Sequence, residues 1–183
     1  MSGNGRSATS SRSKAAAGLA AGAATAAAAV LGGAAPAQAY SPDPSATIIH
    51  RDTDGRPCSG GSLGDPFDGT YFKHDAGGRA VKIELYDDGW FIGKVEFHPY
   101  GNKIWVYDTK NDGDGIYVHV AVDNHEGHGL TGWNLYHPPG TDKVVDHSVN
   151  SLGSNVREGA DIRIRVFDDS RTTDLITTAW GVA

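Results

Sequence analysis

From about residue 67 onward, apolar and polar residues take turns in short runs. In Arg79–Tyr86, Val81, Ile83 and Leu85 fall on one side and Lys82, Glu84 and Tyr86 on the other. A period of two is the mark of a half-buried strand. Asp87-Asp88-Gly89 then supplies a hairpin turn, and Trp90–His98 returns. In Lys103–Thr109, Ile104 and Val106 alternate with Trp105 and Tyr107. The turn-rich Lys110–Gly115 leads into Ile116–Val122, where Ile116, Val118, Val120 and Val122 alternate with Tyr117, His119 and Ala121. If residues 110–115 make a hairpin, Trp105, Tyr107, Tyr117 and His119 form one aromatic patch; alternatively that face is the core, or the pair is buried on both sides. Gly132–His137 reads as a shorter strand and Pro138–Val149 mostly as loop. Asp161–Phe167 alternates Ile162, Ile164 and Val166 with Arg163 and Arg165, and Thr172–Val182 closes the chain. No segment sustains a period of 3.6. About eight short strands with turns between them predict an all-β fold over 67–183, an antiparallel β-sandwich of immunoglobulin-like or jelly-roll-like form.

The first 39 residues have another pattern. Arg6, Arg12 and Lys14 precede a small-apolar run from Ala15 to Ala35, which ends at Ala37-Gln38-Ala39. Basic region, apolar region and small-x-small site, in that order, predict a signal peptide over 1–39, cut before Tyr40, and hence a secreted, extracellular protein. The run is rich in Ala and Gly, so it is a weak membrane anchor. After cleavage no membrane association is expected. Residues 40–66 hold Ser41-Pro42-Asp43-Pro44 and Gly60-Gly61-Ser62, which predict an irregular N-terminal arm. Within it, Thr47-Ile48-Ile49 suits a short edge strand.

Charge narrows the partners. Beyond residue 39 lie 13 basic residues against all 22 acidic ones, a net charge of −9. So acidic a surface repels phosphate backbones, which argues against nucleic acid. Cys58 is the single cysteine, so no internal disulfide forms, and a Cys58-linked dimer is the natural alternative.

Three groups of residues suggest chemistry. Asp123, His125, Glu126 and His128 crowd one loop and are suitable metal ligands, for zinc, copper or calcium. The zinc-protease spacing of histidines four apart is missing. Asp108–Asp114 has some calcium-loop character, but Lys110 stands where an oxygen ligand belongs. The aromatic set Trp105, Tyr107, Tyr117 and His119 is the stronger candidate for binding, because such rings stack on sugars or anchor a protein partner. No Gly-x-Ser-x-Gly elbow occurs, and no pair of carboxylates is singled out for catalysis.

Phe97-His98-Pro99-Tyr100-Gly101, the Asp108–Gly113 run, Arg157-Glu158-Gly159 and the Ala-rich leader resemble a pattern in small secreted β-rich proteins of high-GC Gram-positive bacteria. The resemblance spans roughly residues 78–183, and the cysteine pairs of many members are missing. That group has no assigned activity, so the resemblance implies a compact secreted β domain and no catalytic residues. The expectation is a non-catalytic module that binds carbohydrate or a surface protein and needs no cofactor. A metal-dependent extracellular enzyme built on the histidine loop is the alternative, and a structural envelope or spore-coat component is the third.

Overall fold

The computed structural model describes residues 40–54, 69–140 and 145–183, all within one compact unit. Residues 1–39, read above as a signal peptide, and Cys58 lie outside the described residues. Nine strands follow one another: β1 Ser45–Asp52, β2 Arg79–Asp87, β3 Trp90–His98, β4 Lys103–Asp108, β5 Tyr117–Asp123, β6 Thr131–Tyr136, β7 Asp146–Ser151, β8 Asp161–Phe167 and β9 Leu175–Val182. No helix occurs among the described residues, so none there is long and apolar enough to cross a membrane.

The strands form one antiparallel sheet in the order β6-β5-β8-β9-β2-β3-β4-β7, with β1 also paired to β2. A sandwich would separate two sheets. Here a single link, Arg79 opposite Val182, joins β2 to β9 and makes the sheet continuous. The result is nearly closed and barrel-like. Its inner face gathers Val81, Ile83 and Leu85 with Val95, Phe97, Ile104, Val106, Val118, Val120, Ile162, Ile164 and Val166 into one core. The alternating apolar positions read from β2, β4, β5 and β8 are therefore the buried ones.

Two local features follow from residue chemistry. Asp88 and Gly89 both take positive φ, 49° and 80°, the geometry of a tight hairpin between β2 and β3. The pairing then slips between Leu85 and Tyr86, which oppose Gly93 and Phe91. This bulge turns Ile92 into the core beside Val95. Gly93 is required at that point, because a Cβ there would run into the Ile116 side chain and the Tyr107 carbonyl oxygen.

The edge strand expected at Thr47-Ile48-Ile49 is present and runs further, as β1, whose eight residues pair with β2 from Ser45–Tyr86 to Asp52–Arg79. Two expectations are corrected. The stretch read as loop before residue 150 contains β7, which pairs with β4 along its length. Residues 110–115 do not close a hairpin. They cross from β4 to β5, and β5 pairs with β6 and β8 instead.

Candidate functional site

The outer face of β2 and β3 is the least expected part of the molecule. Lys82 and Glu84 of β2 and Lys94 and Glu96 of β3 alternate with core residues, yet all four are buried. Strand pairing sets Lys82 opposite Glu96 and Glu84 opposite Lys94, so the charges form a checkerboard. Lys82 Nζ lies 2.7 Å from Glu84 Oε1, and Lys94 Nζ lies 2.7 Å from Glu96 Oε1. The Tyr86 hydroxyl donates to Glu84 at 2.9 Å, and Lys94 Nζ sits 4.4 Å from the centre of the Tyr107 ring. A segment ahead of β2 lies across this face. Thr70 donates its hydroxyl to Glu96 Oε1 at 2.6 Å, and buried Phe72 places its ring 4.7 Å from that of His98.

His98 links the checkerboard to the surface. Its Nε2–H donates to Glu96 Oε2 at 2.8 Å, and its side chain is 13% exposed. Burial alone raises the Glu96 carboxyl, but hydrogen bonds from His98 and Lys94, the Lys94 charge and the Thr70 hydroxyl outweigh it, leaving Glu96 below its ordinary pKa. The outer side of His98 borders a cavity of about 270 Å³ lined by Tyr71, Lys73, His98, Tyr100, Lys103 and Trp105. Trp105 stacks near His98, 5.0 Å between centroids, and near Tyr107 at 6.2 Å; Tyr107 in turn stacks on His147 at 5.7 Å. Lys73 holds its ammonium 5.0 Å from the centre of the Tyr100 ring. The buried Trp105 Nε1–H finds no acceptor among the described residues. The cavity thus offers aromatic walls and two lysine side chains.

Trp105 and Tyr107 therefore share a face, but Tyr117 and His119 do not join them. They lie on β5, in the other half of the sheet. There Tyr117 approaches His137, and His119 packs between Trp133 and Phe167, with centroids at 6.3 and 5.5 Å. Burial, then the Arg165 charge, lowers the His119 pKa. The Arg163 guanidinium lies 4.3 Å from the Trp133 ring and 6.0 Å from the Trp180 ring, two indoles that are 51% and 40% exposed. The single patch expected from the sequence is thus divided between two parts of the sheet, and Tyr107 is itself buried, 5% exposed.

The histidine loop does not assemble a metal-ligand set. His125 adopts φ 58° while its backbone N–H donates to Asp123 Oδ1 at 2.8 Å, and its ring Nε2–H donates to the Gly159 carbonyl at 3.1 Å. Glu126 pairs with Arg157, and His128 is exposed. These groups tie the loop to the segment before β8. The cluster whose ligand atoms do converge is elsewhere: Asp43, Asp168 and Asp174 bring one carboxylate oxygen each to within 4.8 Å of the others.

A second acidic group surrounds Asp108, at the end of β4. Its Oδ1 accepts the Lys110 N–H at 3.1 Å, while its Oδ2 is buried without a partner among the described residues. Burial pushes its carboxyl up to about 7. The Lys110 N–H opposes the rise, and the Asp112, Asp146 and Asp114 charges add to it.

The sequence reading missed Lys82, Lys94, Glu96, His98, Tyr71 and Lys73. The one available signal was the repeated Lys-x-Glu on both sides of the Asp-Gly turn, which a hairpin register turns into two opposed charge pairs. No protein-family model, curated protein or solved structure matches this chain.

Proposed function

We propose that the chain is a secreted, non-catalytic binding module whose ligand is an acidic carbohydrate, held in the cavity between Trp105, Tyr71 and Tyr100. The observation that carries this reading is the combination of flat rings with Lys73 and Lys103 in one recess. Rings stack on the apolar faces of sugars, and ammonium groups pair with carboxylates. At about 270 Å³ the cavity falls just below the usual ligand range, roughly 300–1,000 Å³. That size suits one sugar unit of a longer chain. The strongly negative remainder of the protein repels an acidic polymer, so attraction is confined to the recess and binding is weak and salt-sensitive. The Glu96–His98 hydrogen bond fixes the imidazole as part of the wall.

Affinity electrophoresis in gels containing polygalacturonate, with neutral dextran as the control, tests this. The protein is expected to be retarded by the acidic polymer alone. Trp105→Ala and a Lys73→Met/Lys103→Met pair are expected to abolish retardation while the melting temperature stays near that of the parent. Trp133→Ala is expected to change nothing. Equal mobility in both gels, or loss with Trp133→Ala but not with Trp105→Ala, would overturn the reading.

A further inference from the structure

We propose that Asp43, Asp168 and Asp174 together bind one divalent cation of the calcium type, which clamps the N-terminal arm to the turn between β8 and β9. Three parts of the fold supply the ligands. Asp43 stands just ahead of buried Pro44 and β1, Asp168 follows the last residue of β8, and Asp174 immediately precedes β9. The arm and the final hairpin are far apart in sequence, so only the tertiary structure brings these carboxylates together.

Asp168 is the decisive member. It is 1% exposed, and neither carboxylate oxygen has a hydrogen-bond partner among the described residues. The backbone N–H groups of Asp168 itself and of Tyr40 face the carboxylate, without completing hydrogen bonds to it. No ion pair among the described residues uses any of the three aspartates. A buried carboxylate beside two others is costly unless a cation or strong donors compensate it. Proteins normally satisfy such groups, so an orphaned carboxylate at the centre of a ligand cluster points to a missing positive partner.

The donor set selects the ion. It contains oxygen alone, with neither imidazole nor thiolate, which suits a hard cation. Calcium–oxygen bonds of about 2.3–2.6 Å allow opposed ligands to stand roughly 5 Å apart, whereas magnesium at about 2.0–2.1 Å requires a tighter set. The spread of up to 4.8 Å fits the larger ion. The β8–β9 turn is shaped to hold Asp174 in place. Asp169 accepts the backbone N–H groups of Thr173 and Asp174, at 2.8 and 2.9 Å, and the Thr173 hydroxyl at 2.8 Å. Asp169 is thereby committed to the turn and leaves the cluster to the other three. Tyr40 anchors the start of the arm independently: its hydroxyl donates to Asp112 at 2.9 Å, and its ring lies 5.7 Å from Lys110 Nζ.

The test titrates calcium chloride into EDTA-stripped full-length protein, read by calorimetry and by thermal melting. One ion per chain is expected, with a dissociation constant on the order of 10⁻⁴–10⁻³ M, as in extracellular calcium modules. Millimolar calcium is expected to raise the melting temperature by several degrees, and magnesium by less. Exposed Asp43→Asn is expected to weaken binding at least tenfold while folding normally. Asp168→Asn is expected to lose the calcium response and, in EDTA, to melt at or above the parent, because it removes an uncompensated buried charge. Absence of both heat and melting shift in the parent would overturn the proposal, as would calcium binding that survives Asp43→Asn and Asp168→Asn unchanged. A second preparation, beginning at Tyr40, that is indifferent to calcium but destabilised by acetylation of its α-amino group would assign the positive partner to that amine, and would also overturn it.

Discussion

Replacing Asp108 by asparagine removes one ionisation and keeps nearly the same shape. The amide oxygen can still accept the Lys110 N–H that Oδ1 accepts now. Asp108 is 2% exposed. The groups facing it are Asp112, Asp114 and Lys110 from the loop it enters, Asp146 directly opposite on β7, and the Tyr117 and Tyr40 hydroxyls. Lys110 spends its ammonium on Asp87, at 2.9 Å, so it gives Asp108 only its backbone N–H. With the folded pKa near 7 against an ordinary 3.8, the native state holds the Asp108 proton more tightly than the unfolded chain does. Unfolding then releases a proton between these values, so this group's share of stability is fully present below about pH 4 and falls as pH rises through 7. At 1.36 kcal/mol per pKa unit, the cost levels off near 4 kcal/mol at high pH, and about 2.5 kcal/mol of it develops between pH 5 and pH 8. These are ceilings, since local relaxation and water entry reduce the charge penalty. Urea unfolding followed by tryptophan fluorescence, at about pH 5 and pH 8, measures the change. Comparing parent with Asp108→Asn cancels every other titrating group. Asp108→Asn is expected to gain on the parent by 1–2.5 kcal/mol between the two pH values. Parallel pH profiles for the two proteins would refute the assignment of a strongly raised pKa to Asp108.

Two further substitutions test the packing. Lys94→Met leaves Glu96 buried beside one cation fewer and is expected to cost roughly 3–5 kcal/mol in chemical denaturation. Adding Glu96→Leu is expected to recover a good part of that loss; no recovery would mean that the two side chains do not act as a pair. Gly93→Ala is expected to lower stability by about 1–3 kcal/mol, because its Cβ meets the Ile116 side chain and the Tyr107 carbonyl oxygen. An unchanged melting temperature would show that the bulge between β2 and β3 has room to spare.

Much of the strand content was legible because burial on one side leaves a period of two. Val81-x-Ile83-x-Leu85 and Ile162-x-Ile164-x-Val166 announce their inner faces, and Asp88-Gly89 announces the turn that follows β2. Strand β7, Asp146-His-Ser-Val-Asn-Ser, carries no such sign, because it ends the sheet and is held by main-chain pairing with β4 rather than by apolar side chains. In the arm only the centre of β1, Thr47-Ile48-Ile49, was legible, since most of the residues of this edge strand stay exposed even when paired.

The candidate site was less legible still. Alternation says which residues leave the core, and water is the default neighbour for those that do. Sequence alone therefore sends Lys82, Glu84, Lys94 and Glu96 outward, and leaves Trp105 and Tyr107 undecided between surface and core. Only the tertiary structure lays Thr70 and Phe72 across that face, sets the four charges in opposition and opens the recess beside His98. It also decides that β4 pairs with β7 while β5 pairs with β8, which divides the aromatic residues between two parts of the sheet. Local sequence dictates the period of a strand because side chains alternate within it. It does not dictate which strand comes alongside, because that choice rests on the fit of whole faces contributed by distant parts of the chain.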